Sequence, residues 1–280
     1  MLPAEVPLEA SHFLRPDWPA PHHVQALCST RLGGVSAPPF DSLNLGLHVQ
    51  DDAALVMQNR ARLQQGCGAR PVFLHQVHGI DVQRIDANTV DGVTADACWS
   101  DQTQVACTIM VADCLPVLFT DTQGQVVAAA HAGWRGLAAG VIEASLSALC
   151  QAASVQTSHV LVWLGPCIGP HAFEVGDEVR AAFETEAAVY ANAHSNAHTF
   201  QREHAWPLPQ QAFRPTGQTG KWWADLAGLA RWRLMRAGVT RIYGNDSNDA
   251  WCTVTQSQRF FSYRRDGRSG RFAACVWRTA

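Results

Sequence analysis

The sequence predicts a mixed α/β (α+β) protein whose mixed β-sheets form a sandwich-like core flanked by helices. Strand-like and helical segments alternate irregularly along the chain, which favours this architecture over a doubly wound parallel sheet. Two apolar runs joined by a polar turn also predict an antiparallel hairpin near the middle of the chain. With 280 residues, of which 47% are hydrophobic, the chain can bury a large core in one or two domains.

The first 111 residues contain three strand signals, a long loop and a helix signal. Residues 24–29 form a predicted strand that leads into a Gly- and Pro-rich loop over residues 31–46. A helix is predicted over residues 51–65, because Asp51 or Asp52 can cap its first turn and Gly66 can end it. Residues 71–77 and 105–111 form the other two predicted strands.

A β-hairpin is predicted over residues 117–130, with a turn at residues 121–124 between two apolar runs. If Thr122 and Gln123 form its tip, Cys114 and His131 lie directly opposite each other on the ladder. Their Cβ atoms would then be about 4.5–5.5 Å apart. One metal ion could bind both side chains, or His131 could deprotonate Cys114. The prediction depends on the register, which a different loop length would change.

The second half of the chain predicts three helices and three strands. The helices are expected over residues 137–152, 175–185 and 222–237, and the strands over residues 159–164, 241–243 and 272–277. Residues 190–220 are polar and rich in Gln, His and Pro, so they predict a long loop or insertion. Its His194 and His198 are expected to be solvated rather than to bind a metal.

Composition argues against several classes of partner and location. The net charge of −3 gives no basic surface typical of proteins that bind a nucleic acid polymer. No stretch approaches the roughly 18 uninterrupted apolar residues of a membrane span. Residues 1–20 form a Pro-rich leader segment without the apolar region of a signal peptide. Nine cysteines, scattered without a disulfide-like spacing, predict a reducing, cytoplasmic environment.

Three side chains at the ends of apolar runs are candidate metal ligands, namely His78, Cys114 and His131. Catalytic zinc usually takes three protein ligands and keeps a fourth position for water or substrate. Their spacing matches no compact zinc finger. Cys114 could instead be a small buried apolar residue and His131 a core histidine with satisfied hydrogen bonds. A third reading makes Cys114 a nucleophile and His131 its base.

Several ordered motifs resemble the YfiH/YlmD family from about Pro16 to the C-terminus. The motifs are Thr30-Arg31-Leu32-Gly33-Gly34-Val35-Ser36, Ser42-Leu43-Asn44-Leu45-Gly46, Gln76-Val77-His78-Gly79, Ala112-Asp113-Cys114, His131-Ala132-Gly133-Trp134-Arg135-Gly136, Gly165-Pro166-Cys167-Ile168-Gly169 and Phe261-Ser262-Tyr263-Arg264-Arg265-Asp266-Gly267. Members of this family were long labelled polyphenol oxidases or laccase-domain proteins and are now regarded as zinc-dependent purine nucleoside phosphorylases.

The resemblance implies one catalytic domain over residues 1–280, with mixed sheets flanked by helices. It implies zinc bound by His78, Cys114 and His131. It also implies phosphorolysis of adenosine, inosine and guanosine, with methylthioadenosine as a further candidate, together with adenosine deaminase activity. The expected partners are therefore small purine nucleosides and phosphate.

Four polar residues near these motifs are further candidates for the site. Asp113 is expected either to bind backbone at the strand end or to support catalysis beside Cys114 and His131. Arg31 and Asn44 match the family pattern in the long loop, where they could contact a nucleoside or brace the loop. Arg135 precedes a predicted helix and could bind phosphate, or it could pair with a carboxylate. The sequence does not decide which of Arg264 and Arg265 faces the site.

Other functions remain open alongside the zinc-dependent reaction. Copper-dependent oxidation of phenols would fit the older family label, but a multicopper oxidase commonly uses His-x-His pairs. None occurs among the twelve histidines. A metal-free cysteine hydrolase would use Cys114 and His131, so the zinc content of the purified protein separates the two readings. A closed structural zinc site is disfavoured by having three ligands rather than four.

Overall fold

Two mixed β-sheets packed face to face form the centre of the molecule, and helices cover their outer faces. The structure is a computed structural model that describes residues 8–184 and 209–280. In chain order, the strands are β1 (Phe13–Leu14), β2 (Val24–Ser29), β3 (Arg70–Phe73), β4 (Val82–Arg84), β5 (Ala97–Ser100), β6 (Val105–Val111), β7 (Leu115–Asp121), β8 (Val127–Ala132), β9 (Val160–Leu164), β10 (Glu174–Gly176), β11 (Phe213–Pro215), β12 (Lys221–Ala224), β13 (Arg241–Gly244) and β14 (Phe272–Arg278).

Most of the described α-helices lie in the second half of the chain. The α-helices are α1 (Ala53–Cys67), α2 (Trp134–Ala139), α3 (Val141–Ala153), α4 (177–184), α5 (Leu226–Arg236) and α6 (Tyr263–Asp266). Short 3-10 helices cover Ala10–His12, Thr157–His159, Pro209–Ala212 and Asp249–Trp251. None of the helices in the described parts of the chain is long and apolar enough to span a membrane.

Both large sheets combine antiparallel centres with parallel pairs at their edges. The five-stranded sheet has the order β1-β2-β14-β6-β3, and β3 pairs in parallel with β6. The six-stranded sheet has the order β13-β9-β7-β8-β5-β4, and its two edge strands pair in parallel with their neighbours. A small antiparallel sheet has the order β10-β12-β11. This mixed architecture confirms the predicted fold class.

Side chains that alternate along the central strands divide the interior into three apolar clusters. In β6, Cys107 and Ile109 lie between the two large sheets, whereas Met110 faces the side covered by α1. In β7, Leu118 lies between the sheets and Phe119 packs on the side of α3 and α5. The layers therefore run from α1 through the five-stranded and six-stranded sheets to α3 and α5.

Two predicted helices are interrupted or shortened in the structure. The helix expected over residues 137–152 is two helices, because the chain turns at Gly140, whose φ of 107° is a left-handed conformation. The helix expected over residues 222–237 begins only at Leu226. Its first two expected residues, Trp222 and Trp223, belong to β12, and the carboxylate of Asp225 caps the helix by accepting from Gly228 N.

Four further expectations differ from the structure. The helix expected from residue 175 is preceded by β10 and covers residues 177–184 in the described part. The loop expected over residues 190–220 contains β11, while its residues 190–208, with His194 and His198, lie outside the described residues. The leader segment contributes β1, which pairs with β2 at a sheet edge. The strand expected over residues 71–77 ends at Phe73.

Candidate metal centre

The three predicted metal ligands come together at one end of the six-stranded sheet. The ligand atoms of His78, Cys114 and His131 all lie within 4.8 Å of one another. Cys114 Sγ is 3.7 Å from His78 Nε2, and the two imidazole rings meet edge to face with centroids 4.7 Å apart. Two imidazoles and a thiolate can hold a metal ion at this spacing.

The predicted pairing of Cys114 directly across from His131 is wrong by two residues. His131 is paired with Pro116, and Cys114 precedes β7. The reason is the loop, which spans residues 121–126 after the last pair of the ladder instead of a two-residue tip. The Asp121 carboxylate holds this wider loop by accepting from the backbone N–H groups of Gln123 and Val126, each at 2.8 Å. Because side chains alternate between the two faces of a sheet, a register shift of two residues keeps Cys114 on the same face as predicted.

The loop after β3 fixes His78 through two side chains. Gln76 binds the backbone of Met110 twice, donating to its carbonyl at 2.8 Å and accepting from its N–H at 2.9 Å. The Asp96 carboxylate accepts from the backbone N–H groups of Val77, His78 and Gly79 at 3.1, 2.8 and 2.6 Å. His78 itself has a left-handed φ of 62°. The peptide that carries the first ligand is therefore held on both sides.

Asp96 is the residue that sequence reasoning missed at this centre. Its carboxylate is fully buried and also accepts from His131 Nδ1 at 2.8 Å, so Nε2 of His131 is left for a metal. Burial raises the pKa of Asp96, but its hydrogen bonds with His131, Gly79 and Val77 lower it by a larger amount. The net shift of the pKa is therefore downward. A signal was present, because a lone acidic residue stands in the apolar run Ala95-Asp96-Ala97 just before β5.

Two glycines after His131 allow α2 to close over the loop that carries His78. A Cβ atom on Gly133 would lie 2.7 Å from His78 Cδ2 and 3.0 Å from Cys114 Sγ. A Cβ atom on Gly136 would lie 2.9 Å from the carbonyl oxygen of Gly79. A larger residue at Gly133 would therefore displace the ligands themselves.

Charges within the cluster favour the anionic form of the cysteine. Burial raises the pKa of the Cys114 thiol, but the charge of His131 and hydrogen bonds from His131 and His78 outweigh it and lower the pKa to about 6. Burial lowers the pKa of His131, and the charge of Cys114 and the bond to Asp96 raise it to about 9. By contrast, burial raises the pKa of the core thiols Cys28, Cys107 and Cys167.

The donor set fits a catalytic rather than a closed structural metal site. Imidazole nitrogen and thiolate sulfur are ligands that suit zinc, and three protein donors leave one coordination position open. A buried carboxylate behind one histidine, as Asp96 lies behind His131, is the usual support of a metal-binding imidazole. The cluster can therefore hold a metal ion.

Asp113 supports the segment that carries Cys114. Its two carboxylate oxygens accept from Thr253 Oγ1 and from Arg264 N, each at 2.6 Å, and its carbonyl accepts from Ile168 N at 2.9 Å. Its left-handed φ of 95° turns the chain just before the cysteine. These contacts match the backbone-binding alternative at the strand end and hold Asp113 directly beside Cys114.

The two candidate nucleoside contacts in the long loop brace that loop. Arg31 donates to the Asp41 carbonyl at 2.8 Å, to the Asp41 carboxylate at 3.1 Å and to the Ser257 carbonyl at 3.2 Å. Asn44 is fully buried, donates to Gly46 and Asp51, and accepts from Gly46 N and Arg271 N. These four hydrogen bonds match the loop-bracing alternative for Asn44, and its contact with a nucleoside stays a prediction.

The remaining arginines near the site differ in how they are engaged. Arg135 lies in the first turn of α2, is exposed and stacks on Trp134 with its Cζ 4.5 Å from a ring centroid. Arg265 pairs with Asp266 at 2.7 Å and donates to nearby carbonyls, so it braces its own loop. Arg264 is exposed and donates to the Glu174 carbonyl at 2.9 Å. Arg135 therefore keeps the most freedom to contact a ligand among these three.

Comparisons with known proteins show the family of this chain. Residues 25–279 match the family model described as multi-copper polyphenol oxidoreductase laccase. The chain is 51% identical over 265 residues to a purine nucleoside phosphorylase of Pseudomonas aeruginosa, covering 95% of this chain and 98% of that one. It is 45% identical over 269 residues to the purine nucleoside phosphorylase YfiH of Escherichia coli, covering 95% and 99%.

A solved structure has the same fold over almost its whole length. The crystal structure of the Neisseria meningitidis protein NMB0706, of family DUF152, superposes with a TM-score of 0.82 at 41% identity and covers 96% of this chain and 100% of that one. Sequence and fold agree, and the chain belongs to the YfiH family of laccase-like domain proteins.

Proposed function

We propose that this protein is a zinc-dependent purine nucleoside phosphorylase that acts on adenosine, inosine and guanosine, with methylthioadenosine as a further substrate, and that also deaminates adenosine. The observation that carries the proposal is the three-donor cluster of His78, Cys114 and His131, which leaves one metal position open. It occurs in a chain 51% identical to a protein named purine nucleoside phosphorylase.

The residues of the chain have distinct tasks in this proposal. Zinc, when bound, supplies an electrophilic centre that activates water or phosphate or polarises the substrate. His78, Cys114 and His131 hold it, Asp96 orients His131 and the loop of His78, and Asp113 supports Cys114. The exposed Arg135 is the proposed contact to substrate.

The two reactions differ in their second substrate. In phosphorolysis, a phosphate oxygen forms a bond to C1′ of the ribose. The bond from C1′ to the purine nitrogen breaks, and the purine leaves with its electron pair and takes up a proton from water. In deamination, water adds to C6 of adenine and ammonia leaves. Phosphorolysis alone therefore needs an anion site beside the metal.

The proposed substrates are small molecules, with no nucleic acid polymer and no membrane as partner. A chain with a net charge of −3 has no excess of basic groups to attract a polyanion. We also propose that the protein works in the cytoplasm, since all nine cysteines are free.

One other activity has a specific observation in its favour. The lowered pKa of Cys114 beside His131 is the arrangement of a cysteine nucleophile and its base, so a metal-free cysteine hydrolase is the second candidate. Copper-dependent phenol oxidation is the third and rests on the description of the family model alone. Both differ from the proposal in their metal requirement.

Identification of products tests the proposed function. Purified zinc-loaded protein is incubated with adenosine and with inosine, each with and without inorganic phosphate. We expect free purine and ribose 1-phosphate only where phosphate is present, and ammonia from adenosine in both conditions. Absence of both products from both nucleosides, with zinc bound, would refute the proposal. If the copper-loaded protein oxidised a phenol and the zinc-loaded protein released no purine or ammonia, the older family description would be favoured.

A further inference from the structure

Arg271 presents a guanidinium without a counter-ion close to the metal centre. It directly precedes β14, whose first residue Phe272 pairs with Val111 at the end of β6, three residues before Cys114. Burial is the largest effect and lowers the pKa of Arg271, whereas the charges of Cys114 and Asp113 raise it. Within the described parts of the chain, no carboxylate lies at ion-pair distance from it. A partly buried cation normally has an anionic partner, so its surroundings are completed by an anion.

Two hydrogen bonds from Nη1 hold the guanidinium, whose Cζ lies 6.0 Å from the centroid of the Tyr263 ring. Arg271 Nη1 donates to the carbonyls of Ser269 and Gly270 at 2.9 and 3.1 Å, and the backbone N–H donates to Asn44 Oδ1 at 2.8 Å. A Cβ atom on Gly46 would lie only 2.9 Å from Arg271 Cγ, so the long loop packs on the side chain. Nε and Nη2 make no hydrogen bond within the described residues. These two nitrogens form the side-on edge that binds two oxygens of one oxyanion.

His48 packs on the same glycine as the Arg271 side chain. The Cβ position of Gly46 is 3.4 Å from His48 Cε1 and 2.9 Å from Arg271 Cγ, so both side chains face the same part of the loop. Burial lowers the pKa of His48, and the charge of Arg271 lowers it further. A neutral imidazole at pH 7 can donate one N–H to an oxyanion without adding a second charge.

We propose that Arg271, assisted by His48, binds the phosphate of the phosphorolysis reaction. The inference rests on the proposed function and assigns the second substrate of that same site. The open Nε and Nη2 groups bind two phosphate oxygens, and a further oxygen is left to attack C1′. Arg271 is better placed for this than Arg135, because its side chain is already fixed and loses less conformational entropy when it binds.

Substitutions at Arg271 test the assignment. The variants are Arg271→Gln, which removes the charge and the fork, and Arg271→Lys, which keeps the charge. The matched control is Arg268→Gln, an exposed arginine in the same segment that stacks on Phe40. For phosphorolysis of inosine, we expect Arg271→Gln to raise the KM for phosphate roughly 10- to 100-fold, Arg271→Lys to restore part of it, and Arg268→Gln to have no effect.

Ammonia release from adenosine without phosphate is the internal reference. We expect it to change by less than about 3-fold in Arg271→Gln, because deamination needs no phosphate. Equal losses in both reactions would overturn the inference in favour of a structural role. An unchanged KM for phosphate would also overturn it. If Arg271→Gln instead abolished a preference for nucleoside 5′-monophosphates, the anion would be a phosphate ester and the assignment to inorganic phosphate would be wrong.

Equilibrium binding keeps the test independent of turnover. Isothermal titration of the zinc-loaded protein with inorganic phosphate should show at least about 10-fold weaker binding for Arg271→Gln than for Arg268→Gln. If the wild-type protein performed no phosphorolysis, the proposed function would fail, and this titration would still decide whether Arg271 binds phosphate. Equal phosphate affinity in the two variants would overturn the inference. Thermal unfolding of each variant checks that both are folded.

Discussion

The histidine side of the metal centre is closed by hydrogen bonds, whereas the arginine side is left open. On the first side, the buried Asp96 carboxylate accepts four hydrogen bonds, from His131 and from three consecutive backbone N–H groups. On the second side, Arg271 is held by its backbone and Nη1 but leaves Nε and Nη2 without partners in the described residues. The difference indicates that the fold itself organises the metal ligands, while a bound anion completes the substrate side.

Both sides depend on buried polar side chains that lie far away in sequence. Asp96 joins the loop of His78 to β8, and Asn44 joins the long loop to Arg271. Asn44 therefore ties its motif to the backbone of the proposed phosphate-binding arginine. Variants of the metal-binding side come first below and the exposed Arg135 comes last, in order of expected effect.

Removal of the cysteine should have the largest effect. We expect Cys114→Ala to lose bound zinc and both activities, because two imidazoles remain as ligands. The matched control is Cys150→Ala, which removes a free, partly exposed thiol on α3 and should keep both. Metal analysis and the two product assays measure the outcome. If Cys114→Ala kept zinc and activity, the metal reading and the cysteine-nucleophile reading would fail together.

The second prediction concerns the pKa of the Cys114 thiol in metal-depleted protein. Its pKa of about 6, against an ordinary 9.0, means that the thiolate forms as the pH rises through 6 and is lost below it. Alkylation by iodoacetamide, followed by peptide mass spectrometry from pH 4.5 to 9, should therefore show a midpoint near 6 for Cys114. The buried thiols Cys28 and Cys107 should stay unreactive over this range. A midpoint above 8 for Cys114 would contradict the electrostatics described here.

Replacement of the buried carboxylate separates positioning from metal binding. Asp96→Asn should weaken zinc binding by about 10- to 100-fold, since His131 loses a charged hydrogen-bond acceptor. Asp101→Asn, which alters an exposed carboxylate paired with Arg84, is the control and should leave zinc affinity unchanged. Competition with a chelator of known affinity measures both. Equal zinc affinity in the two variants would show that Asp96 serves the fold alone.

The exposed arginine should have the smallest effect. Arg135→Ala is expected to slow phosphorolysis by roughly 3- to 10-fold and to affect deamination less, because a solvated contact contributes little. The ratio of the two rates is the measurement, since a change in folding would lower both. Equal losses would indicate that Arg135 contacts a part of the nucleoside common to both reactions, or that it is structural.

The clustering of His78, Cys114 and His131 could be predicted because all three stand in motifs that resemble those of the family. Cys114 and His131 lie at strand ends, whereas His78 lies in the loop after β3. The predicted bounds of β2 and β6 are also confirmed. The register could not be predicted, since it depends on how Asp121 folds a six-residue loop. The break at Gly140 shows a similar limit. A glycine inside a helical pattern is compatible with a continuous helix or with two, and packing decides between them.

The partners of the supporting residues could not be predicted from the sequence, for a different reason. Asp96 and His131 are 35 residues apart, and Asn44 and Arg271 are 227 residues apart. No local pattern relates residues at such separations, so only the packing of the sheets brings them together. The contacts of long side chains are even harder to predict from sequence. Arg31 uses its Nε to bind a loop carbonyl, whereas Arg271 binds carbonyls only through Nη1.

Removal and return of the metal is the most direct test of the claim that the His78–Cys114–His131 cluster is the catalytic centre. Protein depleted of metal by a chelator is assayed for phosphorolysis of inosine, and zinc is then added stepwise to one equivalent per chain. We predict that activity is lost on depletion and returns in proportion to zinc, with saturation at one equivalent. Full activity of the metal-depleted protein would contradict the account.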